Sequence, residues 1–417
     1  MSGAGGSGVP ADGAAQRATN SRATTVIAAG LIVTALGWPM TLARLPFGLY
    51  LKNQLGVSPQ QLALFWAGSA AVWAGKPLAG FLCDSVPLFG SRRRSYLVAG
   101  SVASGALWAT MAVVPRSYGA LLAVAIALNA ALLMVSAAVG GFLVEEAQRR
   151  AATGRLSGLR LAIDAVVALG AGPLGGWLAL RAFGWTAAVG VVVVLPLGPL
   201  AFAWAREPAR SRALRATEAW RSALVALRAR PVWAVLLFVF VAYLPPGFGT
   251  ALFFRQQDAL KMDARTMGFL QMLGGGGALV GAAIYAWLCR RFSLRALLLV
   301  GIALNVASTL AYVGYDGLRS AELITVAAAL VGPLALLPYY DLAARVVPRD
   351  SESFGYALIL GAQNLASIVV AEPAGAYLFG ALHVSFERLV LINTVCTAAV
   401  FLFVPLLPAA LLAGRDA

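Results

Sequence analysis

Long apolar runs separated by short, Arg-rich breaks dominate the chain. Twelve of these runs are long enough to cross a bilayer as helices, which takes about 20 mostly apolar residues. They cover 24–43, 61–83, 95–115, 118–144, 158–180, 184–204, 232–253, 266–289, 295–314, 321–342, 353–381 and 387–412. The pattern predicts an all-α membrane protein. Composition agrees: 60% of residues are hydrophobic and 12% charged, against about 45–50% apolar and 25% charged in soluble domains. Lipid must therefore act as solvent for much of the surface.

The basic residues give the topology. If the N-terminus is cytoplasmic, 22 Lys and Arg fall in cytoplasmic segments, 9 in outer segments, and Lys76 inside a span. That bias predicts twelve spans with both termini in the cytoplasm of a bacterial-type inner (plasma) membrane. The +15 formal charge then marks loops that face anionic lipid, and nucleic acid is not an expected partner.

Residues 1–22, rich in Gly, Ala and Ser, read as a disordered cytoplasmic tail. The longest basic connection, 206–231, divides the rest into bundles of six helices at 23–205 and 232–417. Internal similarity supports two repeats. LYLKNQLGVSPQQLAL from Leu49 resembles FFRQQDALKMDARTMGF from Phe253, Gly80 with Arg92–Arg94 echoes Gly281 with Arg290–Arg291, and GAGPLGGWL around Pro173 echoes VAEPAGAYL around Pro373. The offsets are 204, 201 and 200 residues. Two such units around a central cavity form an alternating-access machine.

Enzyme chemistry is not expected. Cys83, Cys289 and Cys396 lack paired spacing, and His383 is the single histidine, so neither a disulfide framework nor a metal site follows. No catalytic residues and no cofactor are expected. Gly274–Gly277 lies inside an apolar run without a following Lys-Ser/Thr, which fits a close-packing helix face and not a phosphate loop.

Residues 76–97, KPLAGFLCDSVPLFGSRRRSYL, resemble the loop between the second and third helices of major facilitators. In extended form they resemble the folate–biopterin transporter family. LARLPFGLYLKNQLGVSP (42–59), FLVEEAQRR (142–150), PPGFGTALFF (245–254) and ESFGYALILGAQNLA (352–366) are similar to further segments of that family. The resemblance implies a major facilitator fold and secondary transport of a folate- or pterin-like solute. One departure stands out: that family usually carries an acid in the fourth helix upstream of V-E-E, where this chain reads SAAVGG from Ser136.

Ionisable groups inside spans cost about 2.5–3.5 kcal/mol on insertion scales and so need a partner or a purpose. Asp84 with Gly80, Arg92, Arg93 and Arg94 reads as a conformational latch, a carboxylate that pairs in one state only. Asp164 and Glu372, on the corresponding fifth and eleventh helices, are the candidate coupling carboxylates; at the repeat offset Asp164 aligns with Asn364 and Gly172 with Glu372. Arg44 and Arg255 can clamp an anion. Tyr339, Tyr340 and Asp341 can stack on and bind a flat heterocycle, and Lys76, Asn129 and Asn364 complete the candidate substrate contacts. The expected partners are a small organic solute, membrane lipid and, as the coupling ion, protons. Two other readings stay open: a facilitator-type exporter of another metabolite or drug, and a non-transporting membrane assembly or sensor protein on the same scaffold.

Overall fold

A computed structural model describes residues 11–86, 88–91, 93–149, 153–205, 221, 224–225, 227–347, 352–408 and 411. The architecture is all-helical. In the first half, α1 comprises Ala11–Leu36, the turn Pro39–Leu42 and Arg44–Leu55; α2 comprises Pro59–Ala70, the tight turn Ala71–Gly75 and Lys76–Ser85. Then follow α3 (Arg94–Val113), α4 (Tyr118–Arg149), α5 (Thr153–Ala179) and α6 (Phe183–Val194 with Leu197–Trp204). In the second half, α7 comprises Arg230–Ala242, Gly249–Phe254 and the wide turn Arg255–Ala259. It is followed by α8 (Ala264–Leu288), α9 (Leu294–Ala311), α10 (Leu318–Val346), α11 (Glu352–Asn364, the wide turn Leu365–Ala371 and Glu372–Gly380) and α12 (Phe386–Ala399, ending in the tight turn Val400–Leu406).

Among the described residues, nine helices are long and apolar enough to cross a membrane. The other three expected spans, the first, second and seventh, are interrupted, and proline explains each interruption. Pro39 has no N–H to bond back to Ala35, and the chain bends at Gly37, whose carbonyl instead accepts the indole N–H of Trp108 at 3.2 Å. Pro77 cannot reach the Trp73 carbonyl, which bonds Lys76 N through the tight turn before it. Pro245 and Pro246 halt α7, leaving 243–248 without regular helix.

Three expectations change. Residues 11–22, read as tail, are helical and continuous with α1; Ala, the best helix former, recurs through ADGAAQRATNSRA. Residues 44–55, read partly as outer loop, form the last piece of α1, which stops at Gly56 in the left-handed conformation (φ 62°). Arg160, counted with the cytoplasmic loops, lies inside α5. Most of the 206–231 connection lies outside the described residues; 221, 224–225 and 227–228 are helical and α7 begins at Arg230.

The halves meet along two seams, α5 against α8 and α2 against α11. On the first seam a Cβ at Gly172 would collide with the Gly268 carbonyl, one at Gly176 with the Ala264 carbonyl, and one at Gly275 with the Ala168 carbonyl. Backbone-to-backbone approach of this kind is how helices associate in lipid, where apolar burial offers no driving force. On another side of α8, a Cβ at Gly277 would meet the Ala329 side chain and one at Gly281, a turn further on, the Leu330 carbonyl of α10, so the glycine run packs α8 on two sides. These α5–α8 contacts lie toward the far face, opposite the one where α1 begins. There the ends of α1 and α7 are joined by Lys52 Nζ and Asp258 Oδ1 at 2.5 Å, with Phe253 packed over Gly48.

Candidate functional site

At mid-depth between the halves lies a cavity of about 210 Å³. It is lined by Leu31, Thr34, Ala35 and Trp38 of α1, Trp73 and Lys76 of α2, Ser136 of α4, Arg160 and Asp164 of α5, and Asn364 and Ile368 of α11. Its charged groups are Lys76, Arg160 and Asp164. Arg160 Nε lies 3.8 Å from Asp164 Oδ2, one helical turn away, and their side chains are 60% and 51% exposed. A pair this open is weak, so the carboxylate is free to change partner. Two basic groups against one acidic favour an anion.

The breaks in α1 and α2 place the cavity's aromatic wall. Trp38 sits at the bend of α1 and Trp73 in the tight turn of α2, with ring centroids 5.5 Å apart and planes at 58°. Lys76 Nζ stands 5.9 Å from the Trp73 ring centre. Asp164 and Asn364, repeat partners in the sequence, face this same space from opposite halves.

Other residues singled out in the sequence lie elsewhere. Glu372 caps the interrupted α7. Its Oε1 accepts Thr250 N at 2.5 Å and Thr250 Oγ1 at 2.7 Å, satisfying N–H and hydroxyl groups at the start of Gly249–Phe254. Beside it Gly247 N donates to Ala371 O at 2.8 Å, and Asn393 Nδ2 donates to Pro246 O at 2.9 Å, so the break in α7 is pinned from α11 and α12. Arg255 is held at the far face. Its Nη1 meets Glu387 Oε1 at 2.5 Å, its Nε donates to Tyr315 O at 2.8 Å, and it stacks on Phe386. Burial raises the Tyr315 hydroxyl above its usual range in that loop. Arg44 is exposed at the start of the last piece of α1. Tyr339 is buried against Phe238 and Tyr243, Tyr340 accepts from Gln363, and Asp341 accepts from Tyr285. Asn129 is fully buried behind the cavity. Of the proposed substrate and coupling residues, the structure brings together Lys76, Asp164 and Asn364 and leaves Arg44, Arg255, Tyr339, Tyr340, Asp341, Asn129 and Glu372 out of the lining.

A second cavity of about 290 Å³ lies wholly within the second half, lined by hydroxyls and amides including Tyr243, Asn305, Thr309 and Asn393 and by no charged group.

Part of the expected latch cluster lies among the described residues. Arg93, 8% exposed, donates through Nη1 to Gly141 O at 2.7 Å and lies 2.6 Å from Glu145 Oε2. Glu145 belongs to the V-E-E segment of α4, so the basic cluster is gripped from α4. Glu146 pairs with Arg149 and holds its guanidinium protonated above the ordinary range. Arg94 lies over Phe202, and Gly80 has open space where a Cβ would stand. Arg92 and the side chain of Asp84 lie outside the described residues.

Sequence reasoning missed Trp38, Trp73, Arg160 and Glu145. The Trp residues carried a local signal: each directly precedes or sits just before a proline that breaks its span.

Two interrupted bundles facing a central charged cavity define a transporter of the major facilitator fold. Solved structures of that fold superimpose along nearly the whole chain: the nucleoside transporter NupG (TM-score 0.69, 9% identity, covering 94% of this chain and 98% of that one) and a D-xylose–proton symporter (0.68, 14%, 92% and 97%). The BT1 family model matches residues 37–313, and the chain belongs to that family. It is 26% identical to the folate-biopterin transporter of Synechocystis sp. over 88% of this chain and 78% of that protein, and 26% identical to the probable folate-biopterin transporter 7 of Arabidopsis thaliana over 77% and 78%. The chain is thus a multi-pass secondary transporter, not an enzyme.

Proposed function

We propose that the chain carries a flat, anionic heterocycle of the folate or pterin type across the membrane by alternating access of its two six-helix halves, 23–205 and 232–417. The observation that carries this reading is the central cavity. It combines the Trp38 and Trp73 rings with Lys76 and Arg160 for an anion and Asp164 and Asn364 for ring N–H groups. Its volume of about 210 Å³ lies under the roughly 300–1,000 Å³ of drug-sized pockets, which suits a bicyclic head better than a whole folate. The names of the curated relatives support the same class.

Asp164 is the coupling carboxylate in this reading. It is ionised when the cavity is wet and neutral when the halves close over it, so proton binding and conformation are linked. The basic-loop face is the cytoplasmic side of a plasma-membrane protein, and lipid fills the outer surface. The α5–α8 seam and the Lys52–Asp258 tie then close the outer side. In this reading Arg93 and its neighbours change partners as that side opens, the latch role expected for Gly80, Asp84 and Arg92–Arg94.

A second reading rests on α4, where Ser136 lines the cavity in the stretch that departs from the family's acid-bearing pattern. It favours a different flat anion, in import or export. Proteoliposomes test both: uptake of radiolabelled folate, a pterin and a non-pterin aromatic carboxylate, with and without an imposed pH gradient. Saturable pterin or folate uptake is expected. Uptake of the aromatic carboxylate alone selects the second reading, and no flux of any of them overturns transport through this cavity.

A further inference from the structure

Both aromatic rings of the cavity hang from one side chain. Asn129 Oδ1, on α4, accepts the indole N–H of Trp38 at 2.7 Å and of Trp73 at 2.8 Å. Its Nδ2 donates to Ala125 O at 2.8 Å, and the residue is wholly buried. The amide can sit in one orientation only. Indole N–H groups only donate, so the atom between them must be the carbonyl oxygen, and the carbonyl of Ala125 requires the nitrogen. Rotating the amide would oppose two donors with a donor, an uncompensated burial that the interior resists.

The location adds to this. Trp38 sits where α1 bends and Trp73 where α2 tightens, so neither ring is held by a regular helix. Without the common acceptor each indole can swing about its own break. With it, the 58° tilt and 5.5 Å separation of the rings are tied to α4, and the polar edges of both indoles are turned to Asn129 while the residues line the cavity.

We propose that Asn129 is a positioning residue: by fixing the Trp38 and Trp73 rings it sets which flat-ring solutes the central cavity accepts. This rests on the reading of that cavity as the solute site. Asn129 touches no solute and acts through the two indoles.

The test uses the full-length chain in proteoliposomes, with the wild type, Asn129→Leu and Asn129→Asp, and a pterin and folate as probes. Asn129→Leu leaves both indoles without an acceptor. KM for the ring solutes is expected to rise about three- to tenfold, the size of a lost aromatic contact, while maximal rate per folded molecule changes by less than about twofold. The ultraviolet resonance Raman band that reports indole N–H hydrogen bonding should shift toward the unbonded position for two tryptophans. Asn129→Asp separates this from misfolding. In its protonated form, which burial favours, the carboxyl keeps all three bonds, accepting from both indoles and donating to Ala125 O, so KM, compared with wild type at the same pH, and the Raman signature should match wild type at low pH and wherever else the carboxyl is neutral. An unchanged KM in Asn129→Leu, or a KM in Asn129→Asp that stays at the Asn129→Leu value even at the lowest pH tested, overturns the inference while leaving the cavity assignment standing. A wild type that takes up neither probe overturns the cavity assignment, and the inference with it.

Discussion

Asp164 and Glu372 are both carboxylates on corresponding helices of the two halves, and the structure gives them opposite surroundings. Asp164 faces the central cavity, its side chain 51% exposed, with one loose partner on its own helix. Glu372 is spent on the backbone of another span, bonded to Thr250 N and Oγ1 where α7 restarts after its prolines. The difference follows from the breaks. In the first half, α1 and α2 are interrupted and their turns open toward the cavity. In the second, the interruption of α7 is turned into α11 and α12 and must be satisfied by protein, because bare backbone polar groups are not tolerated in lipid. An intramembrane carboxylate is therefore no sign of ion coupling until its neighbours are known.

The comparison breaks most readily at Asp164. Asp164→Asn should lower pH-gradient-driven accumulation by about tenfold or more, within the 5–150-fold range of coupling between linked sites, while downhill exchange persists. Radiotracer accumulation and counterflow in the same vesicles check this. Accumulation at the wild-type level would remove Asp164 from coupling.

Glu372→Gln should do the reverse. Replacing a charged acceptor of two bonds costs about 1–3 kcal/mol, so thermal unfolding in detergent should move down and yield should fall, with accumulation per folded molecule preserved. A variant as stable as wild type but uncoupled would exchange the roles of the two residues.

A smaller effect is expected at the latch. A double-mutant cycle on Arg93→Ala and Glu145→Ala should show a coupling of about 1 kcal/mol in stability, since the pair is partly buried and charge-assisted; near-zero coupling would place the grip of α4 in the Gly141 carbonyl alone.

The smallest concerns Asp263, an exposed helix cap that serves as counterpart to the partly buried Glu372. It accepts Thr266 N at 2.8 Å, and hydrogen bonds from the Thr266 hydroxyl and N–H hold its carboxyl below the usual range. Because the folded value is depressed, the stabilisation is complete above the unfolded value of about 3.9 and is lost as pH falls through the folded one. Asp263→Asn should change stability at neutral pH by no more than about 0.5 kcal/mol and flatten the acid limb of the unfolding curve slightly; an effect as large as that of Glu372→Gln would deny that burial makes the difference.

Much of the fold was legible because lipid imposes a simple rule: about 20 apolar residues per crossing, visible in nine long apolar helices among the described residues. The breaks were less legible. Pro39, Pro77, Pro245 and Pro246 were in plain view, but where a broken helix sends its unpaired groups depends on which span lies beside it. That is why Glu372 read as equivalent to Asp164, and why Arg255 read as a clamp although Glu387, far away in sequence, already occupies it. Lys76, Asp164 and Asn364 were found because a charge or amide inside a span is conspicuous. Trp38 and Trp73 were not, because tryptophan in an apolar run reads as lipid-facing or core until its N–H partner is known.

The division of labour between the two carboxylates is tested most directly by counting protons exchanged when a pterin or folate binds the purified chain, using a pH-indicator dye in weak buffer. The account predicts that Glu372→Gln exchanges the same number as wild type and that Asp164→Asn exchanges none. Proton exchange that survives in Asp164→Asn and disappears in Glu372→Gln would contradict it.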